Sequence, residues 1–273
     1  MAKRVNLIIL LIIGLAESWT LLPILWCFLA SLKTKEQLFA KYPLFIFQPT
    51  FTNYIRLFTE LEFQKWIFNS LIMATSSALA ATFAGSMAAY ALSNRFQFRT
   101  KEGLANFILS LKMLPPIVAA VPIFILYKYL NLINTHLGLI LVYTVFNLPL
   151  TIWMMRGFIE ELPLEIEDAA MIDGCTKFQT FTKVVLPLTK PALVATFIIS
   201  FMFAWNELLF AIFLTGAETY TVTVGMTRFV TIKRVDWGSL MAAGMTAILP
   251  VIAIAFYAQR YLIRGLTFGA IKA

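Results

Sequence analysis

Long apolar stretches separated by short polar segments dominate this chain. Crossing the hydrocarbon core of a bilayer, about 30 Å thick, takes roughly 20 helical residues. Six stretches are long enough, and we place them near residues 7–31, 67–93, 104–127, 137–158, 191–214 and 238–260. A membrane β-barrel would instead show segments of about ten residues with alternating polarity. The pattern predicts an all-α polytopic protein with six transmembrane helices, forming a single membrane domain over residues 1–273.

Composition supports the membrane assignment. Of the 273 residues, 60% are hydrophobic and 13% are charged, and the mean hydropathy is +0.81. A soluble domain has about a quarter of its residues charged. The net charge of +8 comes from scattered Lys and Arg that mostly flank the apolar stretches. This placement favours lipid headgroups and topology signals over nucleic-acid binding.

Basic residues in the loops indicate the orientation. The short loop 94–103 carries three Lys or Arg, whereas the short loop 128–136 carries one. Since basic loops stay in the cytoplasm, we expect loop 94–103 to be cytoplasmic. Six spans then place both termini in the cytoplasm, together with segment 159–190, which we call the acidic loop. It holds six of the 14 acidic residues: Glu160, Glu161, Glu165, Glu167, Asp168 and Asp173.

Local signals predict a short helix in the acidic loop. Pro163 is suited to a helix start, because its missing N–H would be unpaired there. The acidic residues that follow oppose the positive end of the helix dipole. Ile166, Ala169 and Ala170 are spaced to form one apolar face, and Gly174 can adopt the left-handed conformation that ends a helix.

A second amphipathic piece, TKFQTFTKVVL, follows and is expected to stop at Pro187. Taken alone, these residues fit equally well a helix pair that docks on a partner protein and one that lies on lipid headgroups.

Prolines are expected to bend several membrane helices, since each removes a helical hydrogen bond. They are Pro115, Pro116 and Pro122 in the third span, Pro149 in the fourth and Pro250 in the sixth. Such bends fit ordinary helix shaping or a cavity that opens and closes.

Charged and amide side chains within the spans are candidates for a translocation path or gate. A charge at the centre of a membrane helix costs roughly 2.5–3.5 kcal/mol, so such residues usually face protein or water. The alternative is a polar clamp between helices, and for Lys112 an acidic partner on another helix. The candidates are Trp205, Asn206, Glu207, Glu17 and Lys112.

No catalytic or cofactor site is predicted. The two cysteines, Cys27 and Cys175, and the single histidine, His136, lack the spacing of a metal site. The chain contains no GxxxxGK[ST] phosphate loop, and none of its 12 glycines is followed by lysine.

The stretch Glu167–Gly174, EDAAMIDG, followed by Leu186 and Pro187, resembles the EAA loop of ATP-binding-cassette (ABC) importer permeases. Further similarities to the sugar-importing branch are Asn69-Ser70-Leu71, Ala88-Ala89-Tyr90-Ala91-Leu92, Trp205-Asn206-Glu207 and the ending Gly265–Lys272. Together they cover nearly the whole chain and are most similar to the smaller permease of maltose-type systems. One departure is Asp168, where the family has glutamate.

The resemblance implies a type I permease in the cell (inner) membrane, paired with a second permease. Two ATPase subunits, which bind ATP and Mg, and an external solute-binding protein would complete a carbohydrate importer. The acidic loop would seat on the ATPase through residues 163–187. The residues implied in this coupling are Glu167, Asp168, Ala169, Ala170, Asp173, Gly174, Leu186 and Pro187.

Two alternatives stay open at this point. An importer of the same kind could carry a non-sugar solute, because the loop reports the ATPase interface and not the cargo. An ion-coupled secondary transporter would instead use Glu17, Lys112 and Glu207 to relay charge.

Overall fold

The computed structural model describes residues 7–42, 45–93, 95–96, 99–231 and 235–267. Both termini, whose cytoplasmic location is predicted above, and the last part of the Gly265–Lys272 ending lie outside these residues. Among the described residues, helices predominate and no strand forms beyond one isolated bridge between Val230 and Val235. The α-helices are α1 Leu7–Ser31, α2 Lys35–Leu38, α3 Thr52–Thr59, α4 Phe63–Leu92, α5 Lys101–Ser110, α6 Pro116–Tyr129, α7 His136–Glu160, α8 Leu164–Ile172, α9 Lys177–Thr180, α10 Leu186–Leu188, α11 Lys190–Trp205, α12 Leu209–Leu214, α13 Val222–Thr227 and α14 Trp237–Thr267.

Four helices, α1, α4, α7 and α14, are each long and apolar enough to cross a membrane. Two further spans are possible as bent pairs. One joins Lys101–Met113 to Pro116–Tyr129 with a 91° bend, and the other joins Lys177–Leu188 to Lys190–Trp205 with an 80° bend. The described residues therefore hold six candidate spans if each bent pair counts as one, in agreement with the predicted number.

The third predicted span, 104–127, is not one straight helix. A 3₁₀ turn, Leu111–Met113, follows α5, and the chain then becomes extended at Leu114 and Pro115, with ψ of 124° and 125°. Each of these residues precedes a proline, which disfavours the helical conformation. Pro122, Pro149 and Pro250 lie inside helices that continue past them.

The fifth predicted span, 191–214, is also interrupted. Helix α11 ends at Trp205, and α12 begins only at Leu209. Residues 206–208 are non-helical, and Asn206 and Glu207 bond there to the ends of α11 and α12, as described below.

Two compact groups of residues make up the chain. One comprises the residues up to Lys65 together with Gly225–Leu249, and the other comprises Trp66–Val224 and the chain from Pro250. In the first group, Arg56 Nη1 lies 2.6 Å from Asp236 Oδ2. The single membrane domain stays a prediction.

The second group contains the acidic loop. Helix α7 packs against α11, and α6 packs against α12. An apolar core lies among the ends of α4 and α7, the second half of the acidic loop and the start of α11. Its buried members are Ala89, Tyr90, Leu92, Ile152, Met155, Ile159, Phe181, Val185 and Ala192.

Candidate functional site

The first helix of the acidic loop forms as predicted. Helix α8 begins directly after Pro163, and Glu165 and Glu167 occupy its first turn. Gly174 has φ of +88°, and the Cys175 N–H donates to the Ala170 carbonyl at 3.0 Å. The prediction that a left-handed glycine ends this helix is confirmed.

The second piece runs further than predicted. The side chains of Thr176 and Gln179 form a capping box at the start of α9, and a π-helical turn, Phe181–Val185, leads into α10. Pro187 does not stop the helix. It lies in the first turn of α10, where a missing N–H is tolerated, and the 80° bend follows α10.

The direction of the side chains on α8 departs from the predicted apolar face. Ala170 is buried, but Ile166 and Ala169 are exposed. The inward side of the helix consists instead of Ala170 and Glu167, which is only 4% exposed. An acidic residue faces inward because buried groups are present to pair with it.

These groups are Tyr90, at the end of α4, and Arg95. The Tyr90 hydroxyl donates to Glu167 Oε2 at 2.9 Å, and Arg95 Nε lies 2.7 Å from Glu167 Oε1. This second contact is an ion pair rather than a well-aligned hydrogen bond. The side chains of Arg95 and Glu167 are each 5% exposed. Arg95 Nη2 also donates to the carbonyl oxygens of Ile159, at 2.9 Å, and Leu162, at 2.6 Å.

The eight residues implied in ATPase coupling differ in their exposure to solvent. Glu167 and Ala170 are buried and Leu186 is half-buried. The others lie on the surface of the described chain: Asp168, Ala169, Asp173, Gly174 and Pro187. Ile172, 85% exposed, and Met171, 41% exposed, share that surface and were missed by the sequence reasoning. Their apolar character within α8 was the available signal.

The Trp205-Asn206-Glu207 stretch forms the junction between α11 and α12. Trp205 is buried and stacked on Phe201, with ring centroids 5.6 Å apart. Asn206 is exposed, and its Nδ2 donates to the Met202 carbonyl at 2.8 Å. Glu207 accepts from the N–H groups of α12 and is thereby a helix cap.

The remaining two path candidates, Glu17 and Lys112, differ in their surroundings. Glu17 is exposed on α1, whose most apolar stretch has no residue buried within the described chain. Lys112 Nζ donates to the Phe146 carbonyl at 3.1 Å and lies 4.8 Å from the centre of the Phe203 ring. The acidic partner that was considered for Lys112 is absent from the ion pairs of the described residues.

A hydrogen bond between α4 and α7 was not predicted from the sequence. His136 Nε2 lies 2.8 Å from Asn69 Oδ1. Asn69 Nδ2 in turn donates to the carbonyls of Glu218 and Tyr220, at 3.0 and 3.1 Å. His136 thus has a structural hydrogen bond. In the part of the chain that the structure describes, no three His, Cys, Asp or Glu side chains are grouped to hold a metal.

Comparison with known proteins identifies the family to which the chain is similar. Residues 81–268 match the family described as "Binding-protein-dependent transport system inner membrane component". The chain is 35% identical to the trehalose/maltose transport system permease protein MalG of Thermococcus litoralis, over 97% of this chain and 96% of that protein. It is 36% identical to the trehalose transport system permease protein SugB of Mycobacterium tuberculosis, over 94% of each.

The fold also has a solved counterpart. A chain of a bacterial ABC transporter involved in the import of the acidic polysaccharide alginate superposes with a TM-score of 0.77. The match covers 93% of this chain and 95% of that one at 22% identity. The predicted type I importer permease architecture is confirmed.

Proposed function

This chain belongs to the family of binding-protein-dependent transport system inner membrane components, and we propose that it is a permease subunit of an ATP-driven carbohydrate importer. The family consists of membrane subunits without a cofactor of their own, so the chain is not an enzyme. An ion-coupled secondary transporter does not fit this family.

One observation supports carbohydrate as the cargo: the similarity to two trehalose permeases extends over at least 94% of this chain. It includes the membrane helices as well as the acidic loop. Similarity confined to the loop would report only the ATPase interface.

The partners follow from the same proposal. A second, homologous permease completes the translocation path, and two cytoplasmic subunits bind ATP and Mg and hydrolyse ATP. A solute-binding protein delivers the carbohydrate on the outer side. The chain lies in the inner membrane of the cell with both termini in the cytoplasm.

Coupling to ATP hydrolysis takes place through residues 163–187. Support comes from the surface of α8, where Asp168, Ala169 and Asp173 are exposed beside Ile172. Ile172, 85% exposed, and the neighbouring Met171, 41% exposed, together present an apolar surface that suits a cleft on another protein.

The path residues are proposed from their chemistry. Asn206 and Lys112 present exposed polar groups within or beside membrane spans, and planar amide groups suit hydroxyl-rich solutes. Glu207, partly exposed at the α11–α12 junction, contributes a carboxylate that also accepts from the first N–H groups of α12. Glu17, exposed on α1, faces the second permease in this proposal.

The test is transport by the complete complex reconstituted in liposomes with ATP inside. We expect uptake of one or more mono- or disaccharides from a panel, dependent on ATP and on the solute-binding protein. Uptake of an amino acid or phosphate alone would support the non-sugar alternative. Uptake that follows a proton or sodium gradient and ignores ATP would contradict the proposal.

A further inference from the structure

Neighbouring carboxylates on α8 point in opposite directions. Asp168 is exposed, whereas Glu167 is buried against Arg95 and Tyr90. We infer that Arg95 is a positioning residue for coupling: it holds α8 to the ends of α4 and α7, so that displacement of the loop moves these membrane helices with it. This inference rests on the proposed function, since it concerns how the ATPase-facing loop acts on the permease.

One guanidinium joins three parts of the chain. Its Nη2 donates to Ile159 in the last turn of α7 and to Leu162 in the following turn. Its Nε faces the Glu167 carboxylate on α8. The planar fork of arginine presents its donors to these acceptors in fixed directions, whereas the ammonium of lysine is a compact point charge.

Because the Arg95–Glu167 ion pair is buried, it fixes the orientation of α8. Both charged side chains are almost completely shielded from water, and a buried charge that loses its partner is strongly unfavourable. Rotation of α8 away from Arg95 would leave each charge unpaired. Apolar packing alone lacks this angular preference, because it is non-directional.

The second half of the acidic loop also packs against Tyr90. The Tyr90 ring, whose hydroxyl donates to Glu167, packs on Phe181 with centroids 5.0 Å apart. It also contacts Phe96 edge-on at 5.5 Å. The end of α4 therefore contacts both halves of the acidic loop.

The test compares Glu167→Gln, Arg95→Met and the double variant Arg95→Met/Glu167→Leu in the reconstituted complex. Glu161→Gln is the matched control, because Glu161 is exposed and lies in the acidic loop but outside residues 163–187. Three quantities are measured: ATPase subunits retained on purification, ATP hydrolysis stimulated by the solute-binding protein with its cargo, and carbohydrate taken up per ATP hydrolysed.

We expect Glu167→Gln to lower stimulated hydrolysis and uptake per ATP by about tenfold, within the range seen for residues that transmit coupling. The control should match the wild type. The double variant removes the buried charges in favour of apolar side chains, which is often tolerated. Arg95→Met leaves Glu167 buried without its cation, so it should lower expression and retention of the ATPase subunits. The double variant should restore both but not coupling.

The inference is overturned if the double variant restores coupling together with assembly, because Arg95 would then serve folding alone. Unaltered coupling in Glu167→Gln would overturn it as well. Failure of the wild-type complex to take up any sugar would count against the carbohydrate assignment only. ATP hydrolysis stimulated by the solute-binding protein, added with the cargo that it retains on purification, would still decide the role of Arg95.

Discussion

Glu207 accepts a hydrogen bond from the Phe210 N–H at the start of α12, with Oε1 3.1 Å from the nitrogen. Its second oxygen lies 3.3 Å from the Ala211 nitrogen. The first N–H groups of a helix have no partner within the helix, so this carboxylate supplies one. A residue proposed for the transport path thus has a structural role, and the two roles must be separated by experiment.

We expect Glu207→Ala to lower the free energy of unfolding by about 1 kcal/mol, the typical effect of losing an N-terminal cap. Glu207→Gln keeps one acceptor oxygen and removes the charge, so its loss of stability should be smaller. Thermal unfolding in detergent and sugar uptake are measured for both variants. A Glu207→Gln protein with wild-type stability and wild-type uptake would limit this residue to capping.

Gly174→Val should abolish ATP-driven uptake and weaken retention of the ATPase subunits. A β-carbon at Gly174 would meet no atom within 4 Å, so the effect comes from the backbone. L-residues adopt the left-handed conformation at a cost of roughly 1–2 kcal/mol, and β-branched residues tolerate it least.

Gly174→Asn is the matched variant, because asparagine visits this conformation readily. It should retain most of the uptake and co-purification of the wild type. Normal transport by Gly174→Val would contradict the need for a sharp turn at the end of α8.

Gly85→Ala should destabilise the packing of α4 on α7. A β-carbon at this position would lie 2.3 Å from Thr151 Oγ1 and 2.9 Å from Thr151 Cβ, and overpacking of this kind costs about 1–3 kcal/mol. Gly157→Ala, on α7 with no atom within 4 Å of the new β-carbon, is the control. Equal melting temperatures for the two variants would contradict this account.

Labelling of Cys175 tests the orientation. The chain has two cysteines, so Cys27→Ser leaves Cys175 as the single thiol, partly exposed after α8. A membrane-impermeant maleimide should react with it in inside-out vesicles and not in right-side-out vesicles. Bound ATPase subunits should slow the reaction.

The control for this labelling adds Tyr42→Cys and replaces both native cysteines by serine. Tyr42 is 70% exposed, and it follows the first predicted span, so the predicted orientation places it outside. The Tyr42→Cys variant should react with the maleimide in right-side-out vesicles and not in inside-out vesicles. Reaction of Cys175 only from the outer side would reverse the assigned orientation.

The sequence by itself determined the helical class, the number of candidate spans and the turn at Gly174. Each depends on local properties. Transfer of a segment into lipid sums over its own residues, and Pro163 and Gly174 act through their own backbone restrictions. These predictions therefore needed no knowledge of distant contacts.

Only the tertiary structure decided where Glu167 points, what Lys112 contacts and how the third and fifth spans break. Glu167 turns inward because Arg95, distant in sequence, offers a buried cation beside it. Lys112 finds a carbonyl and an aromatic ring instead of a carboxylate. Periodicity along one helix cannot reveal such partners, because the energy of a buried charge depends on groups brought together by folding.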